Sequence, residues 1–120
     1  MKIQKFEDLR IWQESHRLTI EIYKLTGKFP KTESFGIISQ LQRCSSSVPA
    51  NIVEGYYRDT TKELIKFLFN ARGSAGEVTY FLILTKELKY ISELEYLKLR
   101  TDYEKLLASI SSLINKLRQK

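Results

Sequence analysis

The sequence predicts an all-α protein, an up-down-up-down antiparallel four-helix bundle, and three observations carry that reading. Apolar residues recur at steps of three and four through four long segments, the pattern of a helix with one buried face. Capping and breaking residues fall between those segments rather than inside them. The composition leans the same way: Val occurs only at Val48, Val53 and Val78, just two prolines and five glycines are spent, and Leu, Ile, Glu and Lys abound.

The first helix is expected over about Asp8–Thr26, stopped by Gly27 with Pro30 just beyond. Its apolar positions fall on two adjoining stripes. One is Leu9, Trp12, His16, Thr19/Ile20 and Tyr23; the other is Ile11, Ser15, Leu18, Ile22 and Leu25. A single bundle seam needs only one stripe. The surplus marks Ile11, Trp12, Leu18, Ile22 and Tyr23 as the candidate contact with a neighbouring subunit. His16 is the only histidine and has no metal-ligand spacing around it, so it reads as a core or interface imidazole.

After the loop KFPKTES, with Thr32 as the expected N-cap, the second helix is predicted over about Glu33–Tyr57. Phe35, Ile38, Leu41, Ser45, Val48, Ile52 and Gly55 form its buried stripe. Pro49 sits inside it and removes one backbone bond to Ser45, which predicts a kink rather than a stop. The hydroxyls of Ser45, Ser46 and Ser47 are expected to satisfy the freed groups. The chain turns near Asp59, and Thr60 with Glu63 has the spacing to cap a third helix over Thr61–Leu88. Leu64, Phe67/Leu68, Ala71, Ser74/Ala75, Val78, Phe81/Leu82, Thr85 and Leu88 are its heptad stripe. A second capping box, Ser92 with Glu95, opens a fourth helix whose stripe runs Tyr96, Leu99, Tyr103, Leu106, Ile110, Leu113 and Leu117. At 120 residues the chain holds one domain, 1–120, with no repeat or linker.

No constellation in this sequence names a reaction, a cofactor or a metal. The serines have no His–Asp partners nearby in sequence, and Gly73 and Gly76 follow no strand. The lone His16 cannot supply the Glu-x-x-His pairs of a di-iron bundle. No apolar run reaches the ~20 residues of a membrane helix. The N-terminal residues lack the apolar core of a signal peptide, and the single Cys44 fits a reducing cytoplasm. The net charge of +6 favours a polyanion, although no stretch gathers it, and a solvated surface is the simpler reading of charge alone. Arg58, Lys62, Lys66 and Arg100 lie off the apolar stripes and are the candidate nucleic-acid contacts.

If helices two and three pair antiparallel about residue 59, facing residues sum to about 118 in number. Ser47 then faces Ala71, Cys44 faces Ser74 and Arg43 reaches Glu77. Small residues meet small residues, so the two backbones come close. Arg43, Asn51, Glu54, Arg72 and Glu77 make up the candidate polar network, with Arg72 and Glu54 too far apart to pair within one chain. An enzyme using Glu54 and Arg72 is the least supported of the functional readings.

Several phrases carry a family resemblance: Phe6-Glu7-Asp8-Leu9 with Trp12-Gln13, Phe29-Pro30, Gln40-Leu41-Gln42-Arg43, Ser47 through Gly55 (SVPANIVEG), and Ala71-Arg72-Gly73-Ser74-Ala75 with Glu77. Over nearly its whole length the chain resembles the four-helix-bundle family encoded by intervening sequences in bacterial 23S ribosomal RNA genes. It departs at Cys44, Ser45 and Val53, where alanine is usual. The resemblance implies a left-handed bundle and a homopentameric ring, and it does not imply an enzyme. It also implies kinship with the basic accessory protein of diversity-generating retroelements, which associates with nucleic acid and a reverse transcriptase. The ribosomal label often given to members reflects gene location. The functional expectation is a homopentamer that binds RNA or DNA through a summed cationic surface; the alternative is a protein-interaction scaffold.

Overall fold

Four helices carry the chain in the computed structural model, which describes residues 5–119: α1 (Arg10–Thr26), α2 (Ile37–Tyr56), α3 (Thr61–Glu87) and α4 (Glu93–Arg118). Residues 1–4 and 120 of the expected 1–120 domain lie outside the described residues. Consecutive helices run antiparallel and pack side by side, and α4 returns to α1, within 46 × 23 × 21 Å. The core is one continuous cluster: Leu18 and Ile22 from α1, Leu41, Val48 and Ile52 from α2, Leu68, Ala71, Ala75, Val78 and Leu82 from α3, and Tyr103, Leu106, Ile110 and Ile114 from α4. Burial pushes the Tyr103 phenol above its ordinary pKa.

Both predicted caps are present. The Thr60 hydroxyl accepts from Glu63 N–H at 3.1 Å, and Ser92 with Glu95 forms a reciprocal capping box. α3 ends in a Schellman turn: Tyr90 N–H donates to Thr85 C=O and Lys89 N–H to Lys86 C=O, with Lys89 at φ 64° where glycine is usual.

Two expectations at the head of α2 need correction. The helix begins at Ile37 rather than Glu33, Thr32 lies in a 3-10 turn (Lys31–Glu33) instead of capping it, and Phe35 is fully exposed rather than in the core. The cause is Glu33. Its carboxylate accepts from Tyr90 Oη at 2.8 Å and from Ile37 N–H at 3.4 Å, which pins it outside the helix against the α3–α4 turn. Gly36 makes room, since a Cβ there would lie 2.7 Å from Glu33 Oε1. The first helix shows a similar offset: a separate 3-10 turn (Phe6–Asp8) precedes α1.

α2 continues through Pro49, as expected, but the serines are not what satisfies the bond it breaks. The Ser45 carbonyl, left free by the missing N–H, accepts from Thr19 Oγ1 of α1 at 3.0 Å. That hydroxyl also lies 2.8 Å from Ser15 O, so one proton is shared between two carbonyls. Ser45 and Ser46 hydroxyls turn back to Gln42 O instead.

Candidate nucleic-acid interface

The closest approach in the bundle is between α2 and α3. A Cβ on Gly55 would sit 2.9 Å from Phe67 Cβ, so only glycine fits there. Farther along, Ser47 Oγ meets Ser74 Oγ at 2.9 Å, while Asn51 Nδ2 donates to Ser47 O at 2.8 Å and Ser47 Oγ at 2.9 Å. The register is therefore three residues from the predicted one, with Ser47 meeting Ser74 rather than Ala71. Side chains on a helix lean towards its N-terminus, so on an antiparallel pair the meeting positions move C-terminally on both helices. That lean accounts for about two of the three residues.

A groove of about 390 Å³ opens above this contact, lined by Gln40, Arg43, Cys44, Ser47, Ser74 and Glu77. Arg43 and Glu77 share its walls, as their spacing predicts, without forming an ion pair. Burial, and secondarily the Glu77 carboxylate, push the Cys44 thiol up to about 12. A thiol so placed is a poor nucleophile at neutral pH. The candidate polar network does not come together as a unit. Asn51 joins the serine pair, Glu54 accepts from Arg58 at 2.9 Å, and Arg72 donates to Ser111 Oγ of α4 at 3.2 Å.

One end of the bundle, where α2 passes into α3 and α4 finishes, collects cations on aromatic rings. The Arg58 guanidinium lies 4.7 Å from the Phe67 ring centroid and Lys66 Nζ lies 5.9 Å from it. One turn before Lys66, Lys62 is exposed. Phe69 carries Arg72 at 4.8 Å and Arg118 at 4.9 Å. A ring attracts a cation through its quadrupole without cancelling the charge, so Lys66 and Arg118 stay available to a polyanion, whereas Arg58 is also paired with Glu54. Arg100 does not belong to the cluster. It is half-buried on α4, bonded to Glu104 at 2.7 Å and to Tyr96 Oη at 2.9 Å, and about 27 Å of helix separates it from Arg118. Arg72 and Arg118 were missed as cationic candidates. The Phe69–Arg72 spacing of three was a readable signal; the Arg118 contact needed the return of α4.

The two stripes of α1 part company. Ile11, Leu18 and Ile22 are buried in the chain's own core and cannot form the expected subunit contact, because theirs is the stripe that faces α2 and α4. The outer stripe is Trp12, His16, Ile20 and Tyr23, with Ile20 and Tyr23 more than two-fifths exposed. His16 is an exposed imidazole stacked on Trp12 at 4.8 Å, not a core one. Phe6 joins this stripe to the α2 terminus: its ring lies 5.2 Å from Trp12, 6.5 Å from Tyr56 and 6.2 Å from Tyr57.

Among the described residues no three His, Cys, Asp or Glu side chains gather as a metal site, and no helix is long and apolar enough to cross a membrane. The class so defined is a small four-helix bundle whose distinctive chemistry lies on its surfaces. Within that class the chain belongs to the 23S rRNA-intervening sequence protein family, which it matches over residues 7–112. The resemblance read from the sequence is thus borne out. The fold is similar to the 1.70 Å crystal structure of a protein of unknown function from the S23 ribosomal protein family of Bacteroides thetaiotaomicron VPI-5482. That similarity has a TM-score of 0.78 at 24% identity and covers 87% of this chain and 97% of the other. No curated protein matches the chain.

Proposed function

We propose that the protein is a non-enzymatic homo-oligomer, a pentamer by the family resemblance, that binds RNA or structured nucleic acid through cationic bundle ends summed around the assembly. The observation that carries the reading is the placing of Arg58, Lys62 and Lys66 at the α2–α3 end, with Arg58 and Lys66 laid on the Phe67 ring and Arg118 closing α4 at that end. Five copies of a chain at +6 carry a formal +30, which makes a modest monomer charge substantial by summation. The outer stripe of α1, led by Trp12, Ile20 and Tyr23, is the subunit contact this reading requires. A cytoplasmic location follows from the single Cys44, and a reverse-transcriptase partner from the same family analogy.

A second reading has its own observation. At the opposite end Phe35 is fully exposed, and Leu88 and Leu94 are also exposed, which suits a protein partner and a scaffold role. Light scattering and salt-titrated binding of RNA and DNA separate the two. The proposal expects a mass well above 14.1 kDa and affinity that falls steeply with salt. A monomer defeats the assembly, and an oligomer indifferent to every nucleic acid hands the function to the scaffold.

A further inference from the structure

We infer that the bundle end at Tyr57 is a site for single-stranded nucleic acid, in which an unpaired base stacks on Tyr57 while Lys62 and Lys66 hold the flanking phosphates. This rests on the nucleic-acid reading above and narrows it to a strand type and a place. Tyr57 is the C-cap of α2, and the residue is 68% exposed. A large ring in that position is ordinarily mobile, yet this one is braced. Tyr56 packs edge-on to it at 5.3 Å and Phe6 at 6.2 Å, with interplanar angles of 86° and 70°. These contacts hold the ring in place, and so lower the ordering cost of stacking a planar partner on its exposed surface.

Cationic side chains follow Tyr57 closely along the chain. Arg58, the next residue, is paired with Glu54 and laid on the Phe67 ring, so its charge is offset and it is not free to follow a ligand. Lys62 and Lys66 stand on the first two turns of α3, and Lys62 is exposed without an ion pair. The α3 N-terminus adds its own positive pole, with Glu63 in its first turn. Of the acids nearby, Glu54 is offset by Arg58, while the Glu63 carboxylate accepts only from the neutral Thr60 hydroxyl and keeps its charge. Asp59 and Glu63 are left as the groups that oppose an anion. The bases of a duplex are stacked on each other and offer no face to such a ring, whereas every unpaired base does. Nothing here reads base edges, so the site is tolerant of sequence.

The test is fluorescence anisotropy at low salt with a labelled 20-nucleotide oligouridine and a 20-base-pair RNA duplex, each titrated with the full chain. Tyr57→Ala is expected to weaken oligouridine binding roughly 5- to 100-fold while leaving duplex binding unchanged, and Tyr57→Phe to retain it. Lys62→Gln with Lys66→Gln should weaken both ligands and flatten the salt dependence. Asp59→Asn should tighten both. If Tyr57→Ala binds oligouridine like the parent protein, the stacking site is overturned while the broader nucleic-acid reading survives on the lysine variants. If the parent binds neither ligand, both fall. Tyr57 is exposed at a helix end, and an unchanged circular dichroism melt secures each comparison.

Discussion

The α2–α3 seam and the α1–α4 seam close the same bundle by opposite means. Between α2 and α3 the backbones approach until a glycine is required at Gly55 and serine hydroxyls touch across the gap. Between α1 and α4 the helices stand apart and charged side chains bridge them. Arg17 reaches Asp102 at 3.5 Å as well as Glu14 and Glu21, Lys98 reaches Glu21 at 4.0 Å, and Lys28 pairs with Glu95. Grooves of about 400 and 250 Å³ open along that second seam. Packing sets one interface and screened charge the other, so the two should respond very differently to the same size of insult.

The largest effect is expected where the seam is tightest. Gly55→Ala places a methyl against Phe67, and Ala71→Leu forces three more carbons into a fully buried position. Each should cost about 1–3 kcal/mol or more, a fall of several degrees in Tm by thermal circular dichroism. A melt matching that of Lys116→Ala would show that the close approach is not real. Next comes Thr19→Val, which strands the buried Ser45 carbonyl and should cost about 1–3 kcal/mol. In a Pro49→Ala background the new N–H can serve that carbonyl, so urea melts of the cycle should show a smaller loss. Equal losses in both backgrounds would remove Thr19 from the account.

On the looser seam, Arg17→Ala should cost no more than about 1 kcal/mol despite deleting three ion pairs, because Arg17 is nearly half exposed. A loss as large as that of Gly55→Ala would erase the contrast. The smallest effects are on pH, and they have opposite signs. Cys44 has a folded pKa raised from 9.0 to about 12, so the stability it contributes is intact below 9 and declines as pH climbs from 9 towards 12. Glu95 is held below the ordinary carboxylate range by hydrogen bonds from Lys28 Nζ and Ser92 N–H. Its contribution is complete above the unfolded carboxylate pKa and is lost as pH falls through the lower folded value. Cys44→Ala should therefore flatten the alkaline limb of a pH–Tm curve alone, and Glu95→Gln the acid limb alone.

The fold was legible because each helix carries its period and its punctuation locally. Thr60–Glu63 and Ser92–Glu95 announce helix starts within four residues, and Gly27 an end. What misread was whatever depended on a distant partner. Phe35 continues the α2 period in sequence, but Tyr90, 57 residues away, holds Glu33 and ends the helix short of it. Both α1 stripes are apolar, and only the arrival of α2 and α4 decides that Ile11, Leu18 and Ile22 go inward. Lys89 takes a left-handed turn that local propensity gives to glycine. At the candidate site, Arg58, Lys62 and Lys66 were within reach of the sequence because one turn holds them. Arg118 meets Phe69 only through the tertiary fold, and Arg100 was misplaced for the same reason.

The bond from Thr19 to the carbonyl freed by Pro49 has a consequence for how the chain comes to be folded. α2 on its own is chemically incomplete, since water must serve Ser45 until another segment takes over. α1 then supplies a donor and desolvates the position in a single step, so the smallest piece of this protein that satisfies its own backbone around Pro49 is the α1–α2 hairpin rather than either helix. Residues 19 and 49 are thereby bound into one hereditary unit: a lineage that loses the hydroxyl has reason to lose the proline, and one that keeps the proline must keep a donor across from it.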